Sequence, residues 1–181
     1  MPAAKRILLV SGSTRGRSTN TAALIAARDG ADGRLSAEVY DGLAALPAFN
    51  PDDDRDPLPP AVARLRCQIA DADGVLFCTP EYAGALPGSF KNLLDWTVGG
   101  EEMYGKPVAW INVAADGRGE HAHSSLETVL GYLKADIARD ACRRVFVPRG
   151  AVSADGRIED EAVRGQLLAV LDAFAVAIGA S

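Results

Sequence analysis

The sequence predicts an α/β protein of three layers, in which a five-stranded parallel sheet is covered by helices on both faces. Five short apolar runs alternate with longer segments of helical periodicity, and three of these runs are apolar almost throughout. Such alternation implies right-handed crossovers and parallel strands. The 181 residues fit one domain, residues 1–181, with a sizeable core. Several strand orders fit this pattern, and among them we choose 2-1-3-4-5.

The five apolar runs are the predicted strands. The first, third and fourth read RILLVSG, GVLFCTP and PVAWINVA, which is typical of strands that are covered on both faces. The second run, SAEVYDG, mixes polar and apolar residues and therefore suits an edge strand. In chain order the runs span residues 6–12, 36–42, 74–80, 107–114 and 143–149.

Apolar residues at helical spacing predict five helices. The first is alanine-rich and follows a Ser/Thr start at Ser18 or Thr19, whose side chains can cap it. In the fourth, the helical spacing runs from Leu126 to Ile137, and the last carries a long apolar stripe. The predicted helices span residues 19–29, 60–72, 88–97, 121–140 and 159–179.

Charge and hydropathy exclude several classes of partner. The net charge is -5 and the pI is about 5.0, which argues against nucleic acid or an anionic membrane as the main partner. We find no apolar stretch near the ~20 residues that span a bilayer and no signal peptide. We therefore expect a soluble, cytoplasmic protein.

The three cysteines are expected to be reduced thiols. Cys67, Cys78 and Cys142 are scattered, and Cys78 falls inside a predicted buried strand. The alternative is a redox-active or nucleophilic cysteine, but no cationic residue adjoins Cys78 in sequence. The acidic stretch NPDDDRDPLPP, residues 50–60, is interpreted as a solvated, proline-stiffened loop rather than as a metal-binding cluster.

The segment GSTRGRSTN, residues 12–20, follows the first strand and predicts an anion site. Gly12 and Gly16 let the backbone turn tightly and approach a ligand, and the helix that follows offers unpaired N–H groups at its N-terminus. A turn with a helix cap would account for one serine and one glycine only. The further donors are Ser13, Thr14, Arg15, Ser18, Thr19 and Asn20.

Known phosphate motifs narrow the kind of anion. A dinucleotide fingerprint would need glycines at positions 12, 14 and 17, where Thr14 and Arg17 interrupt the pattern. A Walker A loop would need a lysine, and a G-x-S-x-G elbow is also missing. The remaining interpretation is a group of donors around a terminal phosphate monoester, as in flavin mononucleotide (FMN), with Arg15 offsetting part of its charge.

The loop after the third strand, TPEYAGALPGSFKNLLDW, spans residues 79–96. Its prolines stiffen it, and its glycines permit unusual backbone angles. Tyr82 lies beside backbone groups that could contact a flat heteroaromatic ring, with surface packing as the alternative. For Asp95 and Trp96 we favour helix termination and packing, and we expect Lys91 and Asn92 in the helix that supports this loop.

Two motifs together resemble one enzyme family. GSTRGRSTN is similar to the GS-x-R-x-x-S-x-N phosphate loop of the NAD(P)H-dependent FMN reductases, a flavodoxin-like family that includes quinone, azo-dye and chromate reductases. TPEYAGALPGSFKNLLDW resembles that family's TPEYN-x-x-x-PG-x-x-KN-x-x-DW segment. The resemblance extends over nearly the whole chain.

This resemblance implies a flavodoxin-like fold, tightly bound FMN and NAD(P)H as co-substrate. It implies a hydride transfer through the flavin to a quinone, flavin, azo compound or metal ion, with no catalytic amino acid. Homodimers or homotetramers with the flavin near a subunit boundary are implied as well. The rivals are a non-enzymatic flavodoxin-type electron carrier, for which the net charge of -5 is modest, and a flavin-loaded sensor.

The resemblance also assigns site residues. The phosphate-loop donors Ser13, Arg15, Ser18, Thr19 and Asn20 would hold the phosphate. The ring would be lined by Pro80, Glu81, Tyr82 and Ala83, where many relatives have Asn in place of Ala83, and more loosely by the backbone of Ala115 and Gly117. The acceptor pocket could include Tyr82, Trp96 and Tyr104.

The stretch EHAH invites a metal interpretation that we do not favour. His121 and His123 lie two residues apart, which places them on different faces of a helix. Arg118 could pair with a nucleotide phosphate, although a solvent-exposed arginine is the preferred interpretation. We therefore predict no metal site.

Overall fold

The computed structural model describes residues 4–31 and 35–180 and contains one parallel sheet in the order β2-β1-β3-β4-β5, with β6 also paired to β4. This confirms the predicted order. Residues 1–3, part of the segment in which we find no signal peptide, lie outside the described residues. The strands are β1 (Lys5–Ser11), β2 (Leu35–Val39), β3 (Gly74–Cys78), β4 (Pro107–Asn112), β5 (Asp136–Ile137) and β6 (Arg143–Arg144).

Helices cover both faces of the sheet, as predicted. Two apolar clusters fill the space between the layers, one beneath α1 and α5 and the other beneath α2, α3 and α4. All five residues of β3 are buried, whereas burial alternates along the edge strand β2. The helices are α1 (Thr19–Gly30), α2 (Pro60–Asp71), α3 (Gly88–Asp95), α4 (Glu120–Tyr132) and α5 (Glu161–Ala180).

The predicted helix over 121–140 is too long. The helix ends at Tyr132, and Lys134 takes a left-handed conformation with φ 57°, while the Ala135 N–H donates to the carbonyl of Leu130 at 3.1 Å. Residues 136–137 then pair with the start of β4 as β5. The prediction failed because Leu133, Ala135 and Ile137 fit the period of a strand as well as that of a helix.

Two short strands share the sheet position for which one fifth strand was predicted. β5 pairs with β4 at Pro107 and Val108, and β6 pairs with it at Ile111 and Asn112. A 3₁₀ turn at Arg139–Ala141 separates the two. The predicted strand over 143–149 is therefore a two-residue ladder. It is extended by hydrogen bonds from the N–H groups of residues 145 and 147 to the carbonyls of Asn112, the last residue of β4, and of Val113, which follows it.

The acidic loop is anchored at one point rather than solvated throughout. The carboxylate of Asp54 pairs with Arg66 at 2.7 Å, and the side chains are only 11% and 10% exposed. Arg66 also donates to the carbonyl of Trp96 at 2.9 Å. The neighbouring Asp52 and Asp53 are exposed, as predicted.

By length and hydropathy, one helix within the described ranges would be able to span a membrane. It covers Glu161–Gly179 with a mean hydropathy of 1.6, and 28% of it is buried. The expectation that no apolar stretch approaches the length of a membrane span is wrong for this segment. Its side chains Leu167, Leu171 and Phe174 are fully buried in the core beside the sheet, so this apolar stripe belongs to the fold.

The register of the three central strands sets their following loops side by side. Ser11 of β1 pairs with Cys78 of β3, and Cys78 pairs with Ile111 of β4. The chain leaves β1 at Gly12, whose N–H donates to the Cys78 carbonyl at 2.9 Å. The loops that follow β1, β3 and β4 therefore meet at the carboxyl edge of the sheet, where ligands bind in folds of this class.

Candidate functional site

Hydroxyl groups hold the loop after β1 in its conformation. Ser18 caps α1, since its side chain accepts from the Thr21 N–H at 3.5 Å. The Ser11 and Thr21 hydroxyls are 2.7 Å apart, and Ser11 accepts the N–H of Ser13 at 3.3 Å. The Ser13 hydroxyl in turn accepts the Arg15 N–H at 3.3 Å. The loop is thus tied to the start of α1, with Thr14 and the residues up to Arg17 exposed.

Donors at this loop are available to an anion. The first N–H groups of α1, at Thr19 and Asn20, have no intrahelical partner, and the first turn contains no acidic residue. The exposed Arg15 and Arg17 side chains form no ion pair with residues 4–31 or 35–180. A helix N-terminus with free N–H groups and a nearby guanidinium fits a phosphate monoester.

The side chain of Asn20 is oriented by a buried thiol. Cys78 Sγ lies 3.3 Å from Asn20 Oδ1, and both side chains are buried. With its oxygen facing the thiol, the Asn20 amide directs its NH₂ group elsewhere, where it can donate. Burial raises the pKa of Cys78 far above its usual range. Cys78 is therefore a neutral thiol inside a strand, as predicted, and not a nucleophile.

The loop after β3 contains a tight turn that exposes its tip. The Tyr82 N–H donates to the Ala85 carbonyl at 3.1 Å, and the Ala85 N–H donates back at 3.0 Å. The two central residues, Ala83 and Gly84, have φ of 51° and 72°, as in a type I′ turn. Tyr82 is 55% exposed, so its ring is open to a ligand. Ala83 is a non-glycine residue held at positive φ, which stores strain beside the candidate site.

Glu81 links this loop to the next one. Its Oε2 accepts the backbone N–H of Ala122 at 3.1 Å, in the first turn of α4. A carboxylate is favoured at a helix N-terminus, where N–H groups are unpaired and the helix dipole is positive. The Glu81 carboxylate therefore binds α4, so only the backbone of Glu81 is left to contact a ring. The half-buried Pro80 precedes it.

The loop after β4 is a turn from Ala115 to Arg118, closed by a 3.0 Å hydrogen bond from the Arg118 N–H to the Ala115 carbonyl. Gly117 has φ 70°, and Ala115 is half-buried. Asn112, at the end of β4, donates to the Arg118 carbonyl at 3.2 Å. Arg118 itself is exposed, as predicted. Both Ala115 and Gly117 present only backbone groups here.

The two histidines of α4 face different sides, as their spacing predicts. His121 is exposed, whereas His123 is buried and its Nδ1 lies 2.6 Å from the Gly119 carbonyl. His123 Nε2 is buried and has no hydrogen-bond partner among the described residues. Burial lowers the pKa of His123. Within residues 4–31 and 35–180, His, Cys, Asp and Glu form no group of three or more that could hold a metal ion.

Two of the three aromatic residues predicted near an acceptor lie elsewhere. Trp96 is fully buried, and its Nε1 donates to the Pro47 carbonyl at 2.8 Å, so it packs the helix end, which is the interpretation favoured from the sequence. Tyr104 precedes Gly105, whose N–H donates to the Lys134 carbonyl near the start of β4. In its own chain, Tyr104 therefore lies toward the opposite edge of the sheet. Only Tyr82 remains at the carboxyl edge.

Asn92 belongs to the supporting scaffold, as predicted. Its Oδ1 accepts the Phe49 N–H at 2.7 Å, and its Nδ2 donates to the Pro47 carbonyl at 2.8 Å. The ring of Phe49 also packs edge-on against Trp96, with 5.0 Å between centroids. The KN-x-x-DW part of the motif thus fixes the segment around Pro47.

Arg144 also lies at this edge, and the sequence pattern does not single it out. Its Nη1 lies 2.9 Å from the Ala114 carbonyl and 2.8 Å from the Ala115 carbonyl, and its Nη2 contacts Glu120. Arg144 stands in an apolar run next to another arginine, Arg143, and only the pairing of β6 with β4 shows which loop it reaches. Nothing in the linear pattern separates the two arginines.

Comparison with known proteins decides the family. Residues 5–143 match the family model described as NADPH-dependent FMN reductase. The chain belongs to this family. It is 34% identical to an NAD(P)H-dependent FMN reductase of Pseudomonas aeruginosa over 162 residues, which are 88% of this chain and 87% of the relative. It is 33% identical to a 2-hydroxy-1,4-benzoquinone reductase of a Burkholderia species over 176 residues, 95% of each protein.

A solved structure confirms the fold of this FMN reductase family member. The flavoenzyme FerB of Paracoccus denitrificans, an NAD(P)H:(acceptor) oxidoreductase, superposes with a TM-score of 0.82 at 30% identity, covering 97% of each chain. The protein is therefore a flavodoxin-like, FMN-dependent oxidoreductase that takes its electrons from NAD(P)H. This confirms the cofactor and the reaction class that the two motifs predicted.

Proposed function

We propose that the three loops at the carboxyl edge of the sheet bind FMN, the loop after β1 at its phosphate and the other two at its ring. The observation that carries the proposal is the N-terminus of α1. Its first N–H groups and Arg15, which forms no ion pair with the described residues, adjoin the loops of two neighbouring strands. The proposed phosphate ligands are Ser13, Thr14, Arg15, Ser18, Thr19 and Asn20. The proposed ring contacts are Pro80, Glu81, Tyr82, Ala83, Ala115 and Gly117.

FMN held by these loops would supply the two-electron chemistry between NAD(P)H and an acceptor, with hydride as the form in which the electrons arrive and water as the source of the protons that the acceptor takes up. The chain's own residues bind and orient the ring. Tyr82 and the turn up to Ala85 are exposed, so a nicotinamide and then an acceptor can approach this side in sequence. Because the Glu81 carboxylate is engaged by Ala122, it places no free negative charge toward the ring from this position.

Quinones are the acceptor class that we favour. The 2-hydroxy-1,4-benzoquinone reductase aligns along 95% of this chain, and a planar quinone could stack against the exposed Tyr82 ring. Free flavins, azo compounds and oxidised metal ions are the other acceptors to be compared. The absence of a catalytic side chain in the proposal follows from the chemistry, because the cofactor carries the electrons.

We further propose that residues 1–181 form a single domain that acts in the cytoplasm as a homodimer or homotetramer. The family resemblance supports an assembly with the flavin near a subunit boundary. The exposed tip of the loop after β3 supports the same arrangement, because Tyr82 is 55% exposed in the single chain. The net charge of -5 supports a soluble protein that avoids nucleic acid.

Mixing the FMN-loaded protein with NADPH without oxygen tests the proposed reaction. We expect rapid loss of the yellow colour and rapid return of it when a benzoquinone is added. NADH and the other acceptors, assayed in parallel, rank the substrates. A protein that binds FMN but stays yellow would instead support the electron carrier or the sensor, and a protein that does not retain FMN would exclude all three.

A further inference from the structure

Arg144 contacts three carbonyl groups of a single loop. Its Nη1 lies 2.9, 2.8 and 3.1 Å from the carbonyl oxygens of Ala114, Ala115 and Arg118. The guanidinium also pairs with Glu120, and its Nε lies 3.7 Å from Asp116. A planar guanidinium can donate to several acceptors in a fixed geometry. Arg144 therefore holds the loop from both ends of its turn.

These contacts fix the direction of the loop's N–H groups. In a trans peptide the carbonyl and the following N–H point in opposite directions. With the carbonyls of Ala114 and Ala115 turned to Arg144, the N–H groups of Ala115 and Asp116 point away from it. Neither N–H has a hydrogen-bond partner among the described residues. The loop thus presents two free donors on the side away from Arg144.

The position of β6 indicates where those donors face. β6 pairs with β4 on the side opposite β3, at Ile111 and Asn112. Groups that point away from Arg144 therefore point from the outer edge of the sheet toward the loop after β3, where the ring is proposed to lie. Arg144 itself lies immediately after residues 5–143, which match the family model.

We propose that Arg144 is a positioning residue that orients the N–H groups of Ala115 and Asp116 toward the pyrimidine edge of the flavin. This inference rests on the proposed function. Negative charge gathers at the pyrimidine edge when the ring is reduced, and oriented N–H groups stabilise such charge. Glu120 and Asp116 balance the charge of the guanidinium, so its effect comes through the loop. Arg144 should therefore favour reduced FMN over oxidised FMN.

Arg139 offers a matched control. Arg139 lies in the turn that precedes β6, and Arg144 lies in β6. Each pairs with a glutamate of α4, Arg139 with Glu127 at 2.5 Å. Arg139 forms no hydrogen bond to the loop at residues 114–118. Arg139→Ala therefore removes a comparable ion pair without releasing the loop. Arg144→Lys keeps the charge but replaces the planar fork with a single ammonium.

The test is the dissociation constant of oxidised and of chemically reduced FMN for the full-length wild type and these variants. We expect Arg144→Ala to weaken oxidised FMN about tenfold and reduced FMN about a hundredfold, since each lost hydrogen bond is worth roughly a factor of ten. The tenfold difference between the two forms corresponds to a two-electron potential about 30 mV lower. The dissociation constants of Arg144→Lys should lie nearer to those of Arg144→Ala than to those of the wild type. Those of Arg139→Ala should stay within about twofold of the wild type.

Two results would overturn the inference while leaving the proposed function in place. The first is that Arg144→Ala binds oxidised and reduced FMN with the same affinities as Arg139→Ala. The second is that it weakens both forms equally and lowers the thermal midpoint of the apoprotein, which is the behaviour of a purely structural residue. If the wild type fails to bind FMN, the proposed function itself is wrong, and the inference fails with it.

Discussion

Replacing Gly12 or Gly16 with alanine should have different effects. Gly12→Ala should lower the stability of the protein, and Gly16→Ala should weaken FMN binding. A Cβ at Gly12 would lie 2.2 Å from Thr79 Oγ1, 2.7 Å from Thr79 Cβ and 3.0 Å from Phe90 Cδ1. Thr79 and Phe90 are 3% and 0% exposed, so neither can move aside. Overpacking of this kind costs roughly 1–3 kcal/mol, or about 3–10 °C in the melting temperature of a domain of this size.

Gly16 has open space around it, because no atom lies within 4 Å of its added Cβ. Its φ is not positive, so alanine fits and should leave the stability of the apoprotein unchanged or slightly higher. The same methyl group would obstruct a phosphate that approaches the backbone of this loop, and we expect FMN affinity to fall about tenfold for each hydrogen bond lost.

Thermal unfolding of the apoprotein and FMN titration of each variant measure the two effects. Gly12→Ala should lower the melting temperature, and Gly16→Ala should weaken FMN binding at an unchanged melting temperature. An unaltered melting temperature in Gly12→Ala would refute the packing argument at the end of β1. Wild-type FMN affinity in Gly16→Ala would refute a close approach of the phosphate to this loop.

Three further predictions concern strain, pH and a buried ion pair. Ala83→Gly should stabilise the protein by about 1 kcal/mol in thermal unfolding by relieving the positive φ of 51°, and a loss of stability would contradict the strained turn. Because burial lowers the pKa of His123 from its ordinary 6.5, the unfolded chain takes up a proton that the folded chain does not, so stability should fall as the pH drops below 6.5. Urea unfolding of His123→Gln should show a weaker dependence in that range, and an identical slope would count against this residue. Asp54→Ala leaves the guanidinium of Arg66 buried without its carboxylate and should lower the free energy of unfolding by about 3–5 kcal/mol. The control Asp41→Ala removes an exposed ion pair and should lower it by less than about 1 kcal/mol. Equal losses for the two variants in urea unfolding would argue against the buried pair.

Much of the fold could be predicted because the pattern of this sequence is locally consistent. The apolar runs of β1, β3 and β4 are buried on both faces and read as strands without ambiguity. The donors of the loop after β1 could also be identified, because glycine, hydroxyl and arginine residues lie close together in the sequence. Their contacts with FMN remain a proposal.

The errors occurred where tertiary contacts decide the structure. The apolar residues from Leu133 to Ile137 fit the period of a helix and that of a strand, and pairing with β4 selects the strand. For Trp96 the sequence favours packing and also allows a place in an acceptor pocket, and the hydrogen bond from its indole N–H to a carbonyl 49 residues away decides for packing. Arg144 reaches a loop about 30 residues away in the sequence, and no local signal marks such a contact.

The affinity of the apoprotein for FMN compared with riboflavin, the same flavin without its phosphate, tests the central claim most directly. If the loop after β1 holds the phosphate, two or more charge-assisted hydrogen bonds should favour FMN by about a hundredfold or more. Arg15→Ala should weaken the binding of FMN and leave the binding of riboflavin unchanged. Equal affinity for the two flavins, or an equal loss of both in Arg15→Ala, would contradict the account.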